Sequence, residues 1–230
     1  MLAVTIERER VRVGDRFSVS FQRTRRVPPG ELGALPPSSR GALVPHRPDE
    51  FASRVPPEWL GRPGVFVPLF PDEAVWLGFA GADAKPVALK IRAGSQNAVT
   101  GGAWNEELHD QPQDYLVCPD QSSWDGVACG EGQIRQFTGT PLDLLIYEPR
   151  PGVTVKRLQP GLPDFYYSLD LSSVSFVTQR LVSDPYGITS WSSEPTSRLS
   201  IYFVSPSSYH EMTGEDPLPI DSVYTPRLLP

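Results

Sequence analysis

The sequence predicts an all-β protein, an antiparallel β-sandwich or distorted barrel with a long Pro-rich N-terminal connection and a few short helices. Proline and glycine number 26 and 19 of the 230 residues. That is about a fifth of the chain, well above average usage. Such a load excludes a mostly helical protein, because proline removes a helical donor and glycine costs helix entropy. Hydrophobic residues make up 39% and aromatic residues 10% of the chain. They are spread along its whole length, which is not the composition of a disordered polymer. About ten short apolar runs, each ended by turn-forming residues, have the spacing of a sandwich or barrel. Residues 1–230 are long enough to bury a sizeable core and read as a single β-rich domain.

At the N-terminus Val11, Val13, Phe17, Val19 and Phe21 share one parity, the pattern of half-buried strands broken by Gly14-Asp15. Val4 and Ile6 have the opposite parity, which places a turn or bulge near residues 7–10. Residues 28–48 hold Pro28-Pro29-Gly30, Pro36-Pro37 and Pro45-His46-Arg47-Pro48, an irregular connection too proline-rich for regular structure. Residues 49–55 start acidic and stop before Pro56, and Pro57-Glu58-Trp59-Leu60-Gly61 carries proline first and glycine last, so each reads as a short helical turn. The whole of 28–63 is expected to be an irregular connection or an arm.

Strands are expected at 65–70, 74–79 and 87–91, and their short connections argue for antiparallel neighbours. Further strands are expected at 115–118, 144–147, 153–156, 174–177 and 199–204. Residues 126–129 and 133–137 flank Gly130-Glu131-Gly132, a hairpin signature. Ser205-Pro206 opens, and Gly214 closes, a helix of about two turns.

The segment 65–137 contains Val65-Phe66-Val67-Pro68, Glu73-Ala74-Val75-Trp76-Leu77, Lys85-Pro86-Val87-Ala88-Leu89-Lys90 and Gln96-Asn97-Ala98-Val99-Thr100-Gly101. Pro112-Gln113-Asp114-Tyr115-Leu116-Val117-Cys118-Pro119, Trp124-Asp125-Gly126 and Ile134-Arg135-Gln136-Phe137 follow. In this order of motifs the segment resembles a group of hypothetical bacterial and fungal proteins with no attached activity. The resemblance implies a shared fold and assigns no catalytic residue.

With 21 Lys+Arg against 27 Asp+Glu, the formal charge is −6. That argues against nucleic-acid binding through phosphate neutralisation. The basic cluster Arg23, Arg25 and Arg26 reads as a solubilising strand end. No run reaches the roughly 20 apolar residues of a membrane helix. The N-terminus turns charged at Glu7-Arg8-Glu9-Arg10, which points to the cytoplasm and to thiols at Cys118 and Cys129. In an exported protein the same two cysteines would suit a small disulfide loop. Gly130-Glu131-Gly132 lacks both the third glycine of a dinucleotide loop and the lysine of a P-loop, and no cofactor is expected.

Candidate chemistry concentrates between Trp104 and Arg135. Glu106 and His109 stand three apart, as in half of a di-metal pattern, but the second half is missing. Asp114 or His46 would have to complete a zinc set through the fold, so no metal site is assigned. His109, Asp110, Asp114 and Cys118 are the catalytic candidates, as a thiolate–imidazole pair with an orienting carboxylate. Against them, Cys118 sits in an apolar strand, where cysteine behaves as a small hydrophobe, and no nucleophile elbow is present. Asp125 and Arg135 lie at similar distances from the hairpin tip and are expected to pair or to flank one surface. Trp104, Trp124 and Trp191 stand in turn-rich contexts and are expected on the surface, where tryptophan stacks on sugars or anchors partner proteins.

The function expected from these features is a non-catalytic interaction or structural β-domain. It would bind a protein partner or a glycan through Trp104, Trp124, Asp125, Arg135 and Trp191, with self-association or a place in a larger assembly. The alternative is a hydrolase or metal-dependent enzyme with its site between Trp104 and Arg135.

Overall fold

A computed structural model of the chain describes residues 3–27, 40–81, 85–130, 133–153, 155 and 179–218. Over these residues the protein is an all-β sandwich with no closed barrel. The first sheet runs in the order β1 (Val4–Glu7), β2 (Arg10–Val13), β3 (Phe17–Arg25), β6 (Glu73–Gly81) and β10 (Ser123–Trp124), with β4 (Ala42–Leu43) also on β3. The second runs β5 (Gly64–Pro68), β14 (Ser197–Val204), β13 (Leu142–Tyr147), β7 (Val87–Ala93) and β8 (Gln96–Asn97), with β9 (Leu116–Cys118) also on β7. β11 (Gly126–Gly130) and β12 (Gln133–Gln136) form a separate hairpin.

Alternation along the strands builds the core. Val19 and Phe21 on β3 and Val75, Leu77 and Phe79 on β6 meet Val65 and Val67 on β5, Leu89 and Ile91 on β7, Leu142, Leu144 and Ile146 on β13, and Leu199 and Ile201 on β14. The second sheet is also covered on its outer face. Ala88, Tyr115, Val117, Leu145 and Tyr147 pack there against Tyr186 and Trp191, with Trp104 and Leu108 partly buried alongside. At the other end of that face Phe66 and Val204 lie under Val55, Phe51, Trp59 and Tyr209. Among these, Tyr209 belongs to α1 (Pro206–Thr213), capped by Ser205 Oγ accepting from Ser208 N at 3.1 Å. Among the described residues, no helix is long and apolar enough to cross a membrane.

Four sequence expectations change. The runs at 65–70, 74–79 and 87–91 are strands but not mutual neighbours, because the chain arches from the second sheet into the first and back. A short connection spans two packed sheets as readily as two paired strands, and local sequence does not distinguish them. β5 lies parallel to β14, an exception in an otherwise antiparallel sandwich. The described part of the presumed arm, residues 40–63, packs on this chain's own sheets through Leu43, Phe51, Val55 and Trp59. Its two helical turns are the 3-10 turns Pro48–Phe51 and Pro57–Trp59. Val153 and Val155 lie in no strand. The expected strand at 174–177, residues 28–39 and the hairpin tip 131–132 fall outside the described residues.

Candidate functional site

Trp104, His109, Asp110 and Asp114 lie on one loop, residues 98–115, which folds over the outer face of the second sheet. Asn97, at the end of β8 and buried, ties both ends of that loop. Its Oδ1 accepts from Val99 N at 2.7 Å and from Thr100 N at 3.2 Å, an Asx turn, and its Nδ2 donates to Asp114 O at 2.8 Å. Gly101 lets the loop lie flat on the hairpin. Its φ is +73°, and an added Cβ would stand 2.1 Å from Ala128 O. At that contact Ala128 N donates to Ala98 O at 3.0 Å. The loop and the hairpin therefore meet through backbone.

Under the loop lies a lysine. Lys90, on the outer face of β7, is 0% exposed. Its Nζ donates to Asp114 Oδ2 at 2.7 Å, to Asn105 Oδ1 at 2.9 Å and to Glu107 O, and it stands 5.5 Å from the centroid of the Trp104 ring. An ammonium has three protons, and three oxygens take them. Asp114, 6% exposed, also receives the loop's histidine: Oδ1 accepts from His109 N at 2.9 Å, and Oδ2 lies 2.9 Å from His109 Nδ1. Nearby, the Tyr147 hydroxyl donates to Glu106 O, and burial pushes that phenol up in pKa. Arg198 forks onto the Glu106 carboxylate, with Nη1 at 2.6 Å from Oε1, and holds that carboxyl below its usual range.

A second anchor stands beside it. Asp184 Oδ2 accepts from the Tyr115 hydroxyl at 2.7 Å and from the Trp191 indole at 2.8 Å, and its Oδ1 accepts from Tyr186 N at 2.8 Å. Burial and this hydrogen bond raise the Tyr115 phenol.

The four catalytic candidates separate. His109 and Asp114 are bonded to each other, and Asp110 is exposed, bridging backbone to Gln113 at the loop's outer turn. Cys118 lies on the opposite face of the sheet, because it shares the parity of Leu116 and points into the sandwich core. Burial raises its thiol well above the ordinary range. Strand parity thus sets the Cys118 thiol on the face of the sheet opposite His109, its candidate partner, as the apolar strand around Cys118 suggested. Cys118 and Cys129 are both free thiols. Asp125 and Arg135 do not pair: the hairpin register sets Arg135 opposite Val127, and Arg135 donates to Gln96 Oε1 at 2.8 Å. Burial alone raises the Asp125 carboxyl, while Asp125 N donates to Gln179 Oε1 at 2.8 Å.

The expected surface aromatics are also corrected. Trp124 is 2% exposed, opposite Leu77 in the core between the sheets, and Trp191 is 1% exposed, packed in the cluster on the outer face of the second sheet. Trp104 is partly exposed over Lys90. Lys90, Asn105 and Asp184 carry the site's geometry and were not singled out by sequence. The available signal was a single lysine inside the apolar run Val87–Ile91. Among the described residues, no three His, Cys, Asp or Glu side chains gather as metal ligands. A solvent-open pocket of about 480 Å³ lies elsewhere, lined by Phe70, His210, Glu211 and Asp216 among others, and holds none of the candidates. Comparison with protein families, with curated proteins and with solved structures gives no match.

Proposed function

We propose that the protein is a non-catalytic binding module that presents the 104–114 loop, fixed on the outer face of the second sheet, to a basic segment of a protein partner. One observation carries this reading: the Lys90 ammonium, the Asp114 carboxylate, the Asn105 amide oxygen and His109 Nδ1 are bonded to one another at the base of the loop. What remains outward is an acidic rim of Glu107 and Asp110 beside His109, on a chain of net charge −6. A rigid loop with an outward charge of one sign loses little entropy on binding and steers a partner of opposite sign. Burial of Trp124 and Trp191 removes most of the aromatic platform a glycan would need, which favours a protein partner.

The test is a peptide-display selection on the folded protein, with Glu107→Ala/Asp110→Ala as counter-target. Lys- and Arg-rich sequences should be enriched on the natural chain, lost on the variant and weakened by salt. Enrichment indifferent to the variant, or none at all, refutes the reading.

The His109–Asp114 contact supports a second reading, as a hydrolase. A carboxylate on Nδ1 leaves Nε2 as a base, as in catalytic triads, and the His109 side chain is 45% exposed. Turnover of a p-nitrophenyl ester that disappears in His109→Ala would replace the binding reading with this one.

A further inference from the structure

We propose that Lys90 and Asn105 are the two halves of an intramolecular isopeptide bond, with Asp114 as the proton carrier that closes it. The chemistry is independent of what the loop binds. Forming such a bond requires an amine that loses its proton without water, an amide carbon within attack distance, and an acid–base group touching the amine. All three are present at one nitrogen. Lys90 Nζ is sealed beneath the loop at 0% exposure, Asp114 Oδ2 stands 2.7 Å away and Asn105 Oδ1 2.9 Å away. With Oδ1 at 2.9 Å and a carbonyl bond of about 1.23 Å, the Asn105 amide carbon lies within about 4 Å of Nζ, a side-chain rotation away from the roughly 3–3.5 Å of a near-attack geometry.

A buried ammonium–carboxylate pair is costly to desolvate, and moving the shared proton removes both charges. In the first step Asp114 takes a proton from the Lys90 ammonium, leaving a neutral amine that turns its lone pair toward Asn105 while an N–H stays on Glu107 O. The amine lone pair then attacks the Asn105 amide carbon, and the carbonyl π electrons move onto Oδ1. Asp114 gives the proton it carries to Nδ2 and, a carboxylate again, removes the extra proton from the attacking nitrogen. The carbonyl re-forms, the C–Nδ2 bond breaks, and nitrogen departs as ammonia, which takes that second proton from Asp114 and leaves as ammonium. Nothing is oxidised or reduced, and no co-reactant is needed. His109 acts as a positioning residue: its backbone N–H and its Nδ1 edge hold the two Asp114 oxygens in place. Trp104, whose ring centroid is 5.5 Å from Nζ, covers the amine.

The predicted product is a covalent tie from the middle of β7 to the loop above it. The test is intact-mass spectrometry of the natural chain, followed by tryptic mapping. The expected mass is that of the sequence less one ammonia. Trypsin should then fail to cut after Lys90, giving one branched species in which residues 55–92 are joined to residues 93–135. Lys90→Arg, which keeps the cation but is not a nucleophile, and Asp114→Asn, which removes the carrier, should both restore the full mass. Circular dichroism confirms that each variant is folded. A full-mass natural chain that is folded and cut after Lys90 overturns the proposal. So does loss of one water mapped to Lys90 and Asp114, or loss of ammonia as a succinimide at Asn105 with Lys90 free.

Discussion

Replacing Asp184 by alanine should cost about 3 kcal/mol of stability, through groups it leaves behind on buried neighbours. Its Oδ2 takes the Tyr115 hydroxyl at 2.7 Å and the Trp191 indole at 2.8 Å, and both of those residues are within the outer-face cluster of the second sheet. A hydrogen bond to a charged acceptor contributes about 1.5–3 kcal/mol, and a buried donor left unmade costs a similar amount. Asp184 itself is only partly buried, so water reaches part of the vacated space and the lower end applies to each of the two bonds. For a chain of this length, about 3 kcal/mol corresponds to a fall in Tm of roughly 6–12 °C. Asp184→Asn sharpens the reasoning. An asparagine oxygen at the Oδ2 position keeps both side-chain partners, but its amide faces Tyr186 N where Oδ1 accepted at 2.8 Å. The asparagine should therefore cost about 1 kcal/mol, and alanine about three times as much. Urea unfolding followed by tryptophan fluorescence measures both, with an unchanged m-value as the check that midpoints report stability. An alanine variant within about 0.5 kcal/mol of the natural chain, the range of an ordinary surface change, would refute the assignment of Asp184 as an anchor.

Two further perturbations test other parts of the structure. Gly101→Ala combines a left-handed φ with a Cβ only 2.1 Å from Ala128 O, so it should destabilise by about 2–3 kcal/mol and speed hydrogen exchange at Ala128 N. Gly130→Ala, also at positive φ but in open space, should cost about 1 kcal/mol; equal costs would remove the packing argument. Stability should also fall in alkali. The Cys118 thiol is raised in the folded chain, so above its unfolded pKa of about 8.5 the unfolded chain releases a proton that the folded one keeps, and stability drops by up to about 1.4 kcal/mol per pH unit. Above about pH 10, Tyr115 and Tyr147, both raised, add the same sign of slope. Cys118→Ala should flatten the curve between about pH 8.5 and 10 and leave the steeper fall above it; an unchanged curve contradicts the burial of that thiol.

Strand positions were legible because the apolar alternation is local. Val11, Val13, Phe17, Val19 and Phe21 sit where parity put them, and β1, β2 and β3 break near Glu7–Arg10 and Gly14-Asp15. Partnership was less legible. Leu69-Phe70-Pro71-Asp72 joins β5 to β6 over a distance that suits a hairpin or an arch, and the choice depends on β14 and β3, which lie far away in sequence. Exposure failed at Trp124 and Trp191 for a related reason. A tryptophan beside turn residues reads as surface, yet Trp124 pairs opposite Leu77 and enters the core between the sheets, and Trp191 packs into the cluster on the outer face of the second sheet. The histidine and aspartate of the site were visible as a polar cluster. Their real partner was not, since Lys90 occupies an apolar strand where only the two-sided burial of the second sheet makes it an interior group.

That two-sided burial decides how the cluster should be understood. On a sheet with one wet face, Lys90 would reach solvent and a salt bridge to Asp114 would contribute little. Here the outer face is covered, so the pair carries its full desolvation cost, and an apolar pair of the same shape would hold the loop at least as well. Loop rigidity alone does not require the charges: Asn97 already grips both ends, through Val99 N at 2.7 Å and Asp114 O at 2.8 Å, and Gly101 seats the loop on the hairpin. What the charges add is a proton that can move between Lys90 and Asp114 beside the amide of Asn105. An apolar replacement could do the holding but not the chemistry, and this asymmetry makes the covalent tie a better account of the buried lysine than packing alone.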